Sequence, residues 1–195
     1  MDSFVSEQFN NELPKPDKKK NPDINITTSI PADPSVISVT NRKTKMLPLI
    51  IYWKYDYRHS TKLNPQIGVN YFKKAINQQS GKLAPKLNGR QLELNVEEIP
   101  GAFAIVDKGH IVLLLVHWHK LYMETDTKDL VVSYRVLQNG VENKSGKITV
   151  KNRSHDRGIR FFQSWKSSAS EFLGQYSTDM TEMGRSFVND LIAEL

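Results

Sequence analysis

Apolar residues are unevenly spread along this chain, and that limits what it can fold into. Residues 1–45 hold Phe4, Phe9 and Leu13 besides Met1, Ala32 and scattered Val and Ile, whereas from Met46 onward the supply is ample for a core. A segment with little apolar surface to bury cannot offset the entropy of ordering its backbone. The front also carries five of the nine prolines and the basic run Lys18-Lys19-Lys20 among aspartates, a composition in which neither helix nor sheet propagates. Residues 1–35 are therefore predicted to form a disordered polar tether, and 36–195 a single domain.

Within that domain the patterning predicts an α+β fold, with a mostly antiparallel sheet of five or six strands, one amphipathic helix and a long C-terminal helix. Order is expected to begin with a β-prone run at 36–40 and a turn at 41–45. Residues 46–58 then read as one strand, with Leu47, Leu49, Ile51, Trp53, Tyr55 and Tyr57 on one face by the period of two. Such a strand starts deep in the sheet and emerges into solvent at Lys54, Asp56 and Arg58. A helix follows, capped by Asn64 and Pro65, with Ile67, Tyr71, Phe72, Ala75 and Ile76 in a stripe and Gly81 just past its end. Residues 91–97 alternate with Leu92, Leu94 and Val96 inward, and Asp107-Lys108-Gly109 reads as a tight turn between strands 102–106 and 110–124. Asn139-Gly140 joins strands 130–138 and 141–151 as a hairpin. Apolar residues recur at steps of three and four over 159–195, with Gly174 and Ser177-Thr178-Asp179 marking a kink or a second helix start. That stripe fits packing on the domain's own sheet or self-association.

The absence of cysteine removes disulfides, thiol nucleophiles and zinc–thiolate sites. The longest apolar runs, 46–53 and 111–118, are far shorter than the ~20 residues that span a bilayer as a helix. His117 and His119 share a strand face and are the weak candidates for metal ligation; His110 and Glu124 have the wrong parity to join them. Ser154-His155-Asp156 holds the three residue types of a hydrolytic triad, but neighbours in an extended segment point apart. Glu97-Glu98 are likewise neighbours, not converging carboxylates. No phosphate loop, dinucleotide fingerprint or nucleophile elbow is present. The patterning implies no catalytic residues and no cofactor.

The formal net charge is +6, which favours anionic partners without demanding one. Lys144, Lys147, Lys151, Arg153, Arg157 and Arg160 form a basic stretch able to meet phosphates of nucleic acid or lipid headgroups; lysines protecting a sheet edge give the same pattern. Tyr55 and Tyr57, where the predicted strand emerges, are the candidate partner surface.

The order of elements behind a polar leader resembles the small periplasmic or outer-membrane accessory lipoproteins of bacteria, of the transport-auxiliary and envelope-assembly type. The resemblance is carried by residues 30–34 leading into 36–57, the Asn64-Pro65 helix, 92–100 and the terminal 183–195 helix, over about 150 residues. It implies a non-catalytic, envelope-associated protein whose sheet face or C-terminal helix contacts a protein or lipid. It also implies a signal segment and a lipid-carrying Cys ahead of Met1, which this sequence does not contain. The alternatives are a cytoplasmic nucleic-acid-binding domain using 144–160 and a metal-dependent activity at His117 and His119.

Overall fold

The computed structural model of the chain describes residues 2–8, 15, 23–31, 37–48, 51–113, 115–160 and 163–195, with the backbone alone for 115–117. Its elements are α1 (Asp2–Gln8), β1 (Ile24–Thr28), β2 (Ile37–Leu47), β3 (Tyr52–Lys62), α2 (Pro65–Leu87), β4 (Gln91–Glu98), β5 (Ala102–Val112), β6 (Leu115–Thr125), β7 (Leu130–Gln138), β8 (Val141–Val150), β9 (Arg157–Gly158) and α3 (Trp165–Glu194). The fold is α+β. It has nine strands among the described residues, arranged in two sheets rather than one.

The first sheet has the order β1-β4-β7-β8. Leu92, Leu94 and Val96 of β4 and Leu130, Val132, Tyr134 and Val136 of β7 point inward and are buried, while Glu93 and Arg135 meet on the outer face. Both long helices contribute to the core over that inner face. Asn64 caps α2 by accepting the Gln66 amide proton at 2.9 Å, which satisfies a donor the first turn leaves open. The α2 stripe continues past Gly81 to the buried Leu83 and Leu87, and the helix ends only where Asn88 turns left-handed. α3 is one helix of 30 residues. Ser177 and Thr178 donate to the Gly174 carbonyl at 2.8 and 3.4 Å, so hydroxyls expected to start a second helix back-bond within the one. The helices meet at Phe72 and Phe187, edge to face at 5.4 Å. A Cβ on Gly184 would stand 2.6 Å from the Cβ of Ala75, so the approach of α2 to α3 requires glycine there.

The second sheet has the order β2-β3-β5-β6-β9 and is antiparallel throughout. Only one end of it reaches the core, through Thr61, Phe103 and Met123, with the Phe103 ring 4.5 Å from that of Phe172 in α3. Val106 is the last residue of β5 with a buried side chain. The strand continues six residues further to Val112, roughly 20 Å at the rise of an extended chain.

Several sequence expectations are corrected. Residues 24–28 were placed in the tether, yet β1 pairs in parallel with β4 from Ile24↔Leu92 to Thr28↔Val96. Its alternating Ile24 and Ile26 pack on the core, which suffices for a short edge strand. α1 also docks, with Val5 fully buried, Phe4 5.3 Å from Trp165, and Ser38 donating to Asp2. The expected single strand 46–58 is two strands and a turn, and the expected turn 41–45 lies inside β2. The expected turn at Gly109 lies inside β5, where the absence of a side chain admits the Tyr55 hydroxyl, 2.8 Å from where a Cβ would sit. Gly146 plays the same part beneath Tyr134, and β8 pairs with β7 through it. Asn139 and Gly140, both at positive φ, form the expected hairpin.

The helix crossing gives a direct stability test. Gly184→Val is expected to lower stability by about 1–3 kcal/mol through overpacking. Gly174→Ala, with nothing near its missing Cβ, is expected to raise it by about 0.4–1 kcal/mol. Urea unfolding midpoints measure both, and an unaffected Gly184→Val would contradict the close crossing.

Candidate functional site

Pairing in the second sheet brings its two apolar turns together. β3 and β5 run antiparallel with Tyr52 opposite Val112, so the β2–β3 turn and the β5–β6 turn lie side by side at the end far from the core. They are bonded to each other by the Leu113 amide, which donates to the Ile51 carbonyl at 3.1 Å, while within the β2–β3 turn the Ile51 amide donates to the Pro48 carbonyl at 3.2 Å. Nine large apolar side chains are exposed among the described residues, and six are at this end: Met46, Leu47, Ile51, Trp53, Leu113 and Trp118. Met46 and Leu113 are each 64% exposed. Scattered exposed apolar residues are ordinary, but a cluster of this size marks a contact surface. Leu49, Ile50 and Leu114 belong to the same two runs in sequence and lie outside the described residues.

The backbone of both turns is strained. Ile51 has φ 46° and Leu113 φ 52°, a left-handed conformation that clashes with a side chain, most of all a β-branched one. Among the described residues the other two non-glycine residues at positive φ are Asn88 and Asn139, each followed by a glycine at positive φ, as turn chemistry favours. Where a turn only reverses the chain, this protein uses Asn-Gly. At the distal end it keeps Ile and Leu at a conformational cost, which core packing does not recover.

Behind the turns the sheet carries aromatic residues on both faces. On one, Trp53, Tyr55 and Tyr57 stack down β3 at 5.5 and 5.3 Å, with the Arg42 guanidinium 5.0 Å above Tyr57. Burial raises the Tyr55 pKa, helped by the nearby Asp107 charge and Tyr57, so the phenol stays neutral. On the other face His110 lies between Tyr52 at 5.9 Å and Trp118 at 6.5 Å. Below them Lys108 is 3.5 Å from Asp56; burial opposes its charge, but Tyr122 and Asp56 outweigh that and raise its pKa. The sequence-predicted Tyr55 and Tyr57 are thus on the distal part of the second sheet, half-buried in an aromatic stack. Trp53 is exposed beside them.

The remaining candidates do not converge. His119 donates to Asp107 at 3.0 Å, and the side chain of His117 lies outside the described residues; no cluster of three metal-ligating side chains occurs among those described. Ser154 donates to Asp179 at 3.1 Å, His155 Nδ1 is 3.2 Å from the Arg153 carbonyl, and Asp156 accepts from the Thr125 amide at 3.2 Å. The three side chains are engaged separately. In the basic stretch, Lys147 pairs with Glu97 and Lys151 with Asp129, lowering the pKa of both carboxyls, and Lys144 donates to the Glu194 carbonyl near the end of α3. Arg153, Arg157 and Arg160 remain exposed. A groove of about 510 Å3 beside Lys151 and Arg153 is lined across from them by Asp179, Glu182 and Asp190 of α3, which offsets its positive potential.

Sequence reasoning missed Met46, Leu47, Ile51, Leu113 and Trp118 because two strands and their turn read as one apolar strand. Pro48 inside that run was the available signal, since proline is excluded from the interior of a central strand. No protein family, curated protein or solved structure matches the chain.

Replacing both strained residues separates packing from function. Ile51→Asn with Leu113→Asn is expected to hold or raise the urea midpoint, by about 1 kcal/mol for the pair, because Asn tolerates the left-handed region. A loss above 1 kcal/mol would show that these side chains hold the fold together.

Proposed function

We propose that this chain is a non-catalytic accessory protein of the cell envelope that meets its partner through the distal end of the second sheet. The observation that carries this reading is the clustering of exposed apolar residues on two strained, adjoining turns. The second sheet is favoured over the C-terminal helix because α3 has spent its stripe: Met180, Met183, Phe187, Val188 and Leu191 are buried in the chain's own core. The nucleic-acid reading is weakened by the engagement of Lys144, Lys147 and Lys151. The metal reading is left with His119, already bonded to Asp107.

An interface needs a desolvated apolar centre with a polar rim. The distal end offers both, with Trp53 and Trp118 as anchors and cationic side chains behind them. Paired strands carry Ile51 and Leu113, and a contact surface built on paired strands limits the ordering entropy lost on contact.

Site-specific photo-crosslinking in the native cell tests the reading. A photoreactive residue at Leu113 or Ile51 is expected to give adducts that the same residue at Lys82, on the far helix, does not. Adducts from Lys82 alone would refute the placement of the contact.

A further inference from the structure

The docking surface is layered along the strands, and the layers name a partner. Registers place the residues at defined heights behind the turns. Ile51 and Leu113 stand at the tip. Leu47, Tyr52 and Val112 come next, then Met46, Trp53 and Ile111. One step further are Lys45, Lys54, His110 and Trp118. Lys43, Lys108 and Lys120 follow two steps behind that. At about 3.3 Å per residue, the first lysine layer lies roughly 10 Å from the turns and the second roughly 17 Å.

The same order, apolar tip, aromatic belt and basic collar, is the order of environments met on entering a bilayer from water, read in reverse. Interfacial apolar elements sink about 5–10 Å into the headgroup–acyl boundary. Indole and phenol rings concentrate at the headgroup level, and lysines extend their stems to reach phosphates there. Seated to that depth, the tip would bury Ile51, Leu113, Leu47 and Met46 and hold Trp118, Lys45 and Lys54 among the headgroups.

Two further observations favour a lipid surface over a protein socket. Aromatic residues occupy both faces of the sheet around its end, Trp53 and Tyr55 on one and Tyr52 and Trp118 on the other, so apolar surface is offered on both sides of the sheet. Charge is also one-sided: Arg42, Lys43, Lys45, Lys54, Lys108 and Lys120 face only Asp56 and Asp107 in residues 42–57 and 107–120. Lys43, Lys45 and Lys54 have no carboxylate within ion-pair distance among the described residues. We propose that the partner of the distal end is the surface of an anionic phospholipid bilayer, into which Ile51, Leu113, Leu47 and Met46 insert while the lysines bind headgroup phosphates. This rests on the reading of that end as the docking surface.

Vesicle cosedimentation of the full chain tests it. The protein is expected to sediment with vesicles of phosphatidylglycerol and phosphatidylcholine in equal parts, and at least tenfold less with phosphatidylcholine alone. Ile51→Asp with Leu113→Asp is expected to abolish binding while near-ultraviolet circular dichroism stays unchanged. Lys43→Gln with Lys45→Gln is expected to weaken it by roughly 25-fold, since each cation near an anionic surface contributes about fivefold. Failure to sediment with anionic vesicles, or tip and lysine variants that sediment like the original chain, overturns the lipid assignment. If Leu113 adducts to a protein persist in that case, the docking surface stands and its partner is that protein; if no adducts form either, both readings fall.

Discussion

The close crossing of α2 over α3 is the constraint on which the rest of the architecture depends. Glycine at 184 lets the Ala75 methyl approach, and Phe72 and Phe187 interlock beside it. That commits the apolar stripes of both helices to the core they share with the first sheet, where Leu94, Val132, Tyr134 and Ile148 complete it. Tyr134, sealed beneath the helices and donating to Glu194, has its phenol pushed up to about 12 by burial first and the carboxylate second. With both long helices used in this way, neither is left to cover the distal half of the second sheet.

The uncovered end is therefore a consequence of how apolar surface is shared out, and its composition is the part that needs a functional explanation. An exposed sheet end can be made harmless with Gly, Asn and charge. This protein does that at Asn88-Gly89 and Asn139-Gly140 and does the opposite at Ile51 and Leu113. Strain retained where packing does not require it is most economically explained by contact with something outside the chain.

Much of the fold was legible in the sequence because one-sided burial writes a clear period. The alternation at Leu92, Leu94 and Val96, the Asn64-Pro65 cap and the Asn139-Gly140 hairpin are each local signals, and each is present in the structure. Two kinds of position were opaque. Gly109 and Gly146 look like turn residues but are clearances for Tyr55 and Tyr134, which only long-range pairing reveals. The 46–53 run hid a turn, because an apolar turn carries none of the residues by which turns are recognised. The site was half visible: Tyr55 and Tyr57 were singled out, while the exposed residues ahead of them were assigned to the interior by the same hydrophobicity that marks them as a surface.

The chain's three tryptophans allow the central claim to be tested with its own residues, since Trp53 and Trp118 lie at the distal end and Trp165 begins α3 beside Phe4. Single-tryptophan versions, the others changed to Phe, would be bound to anionic vesicles carrying brominated acyl chains, and the quenching of each indole measured. The account predicts strong quenching and a blue-shifted emission for Trp53 and Trp118, with Trp165 unaffected. Quenching of Trp165 alone, or of none in a vesicle-bound protein, would contradict it.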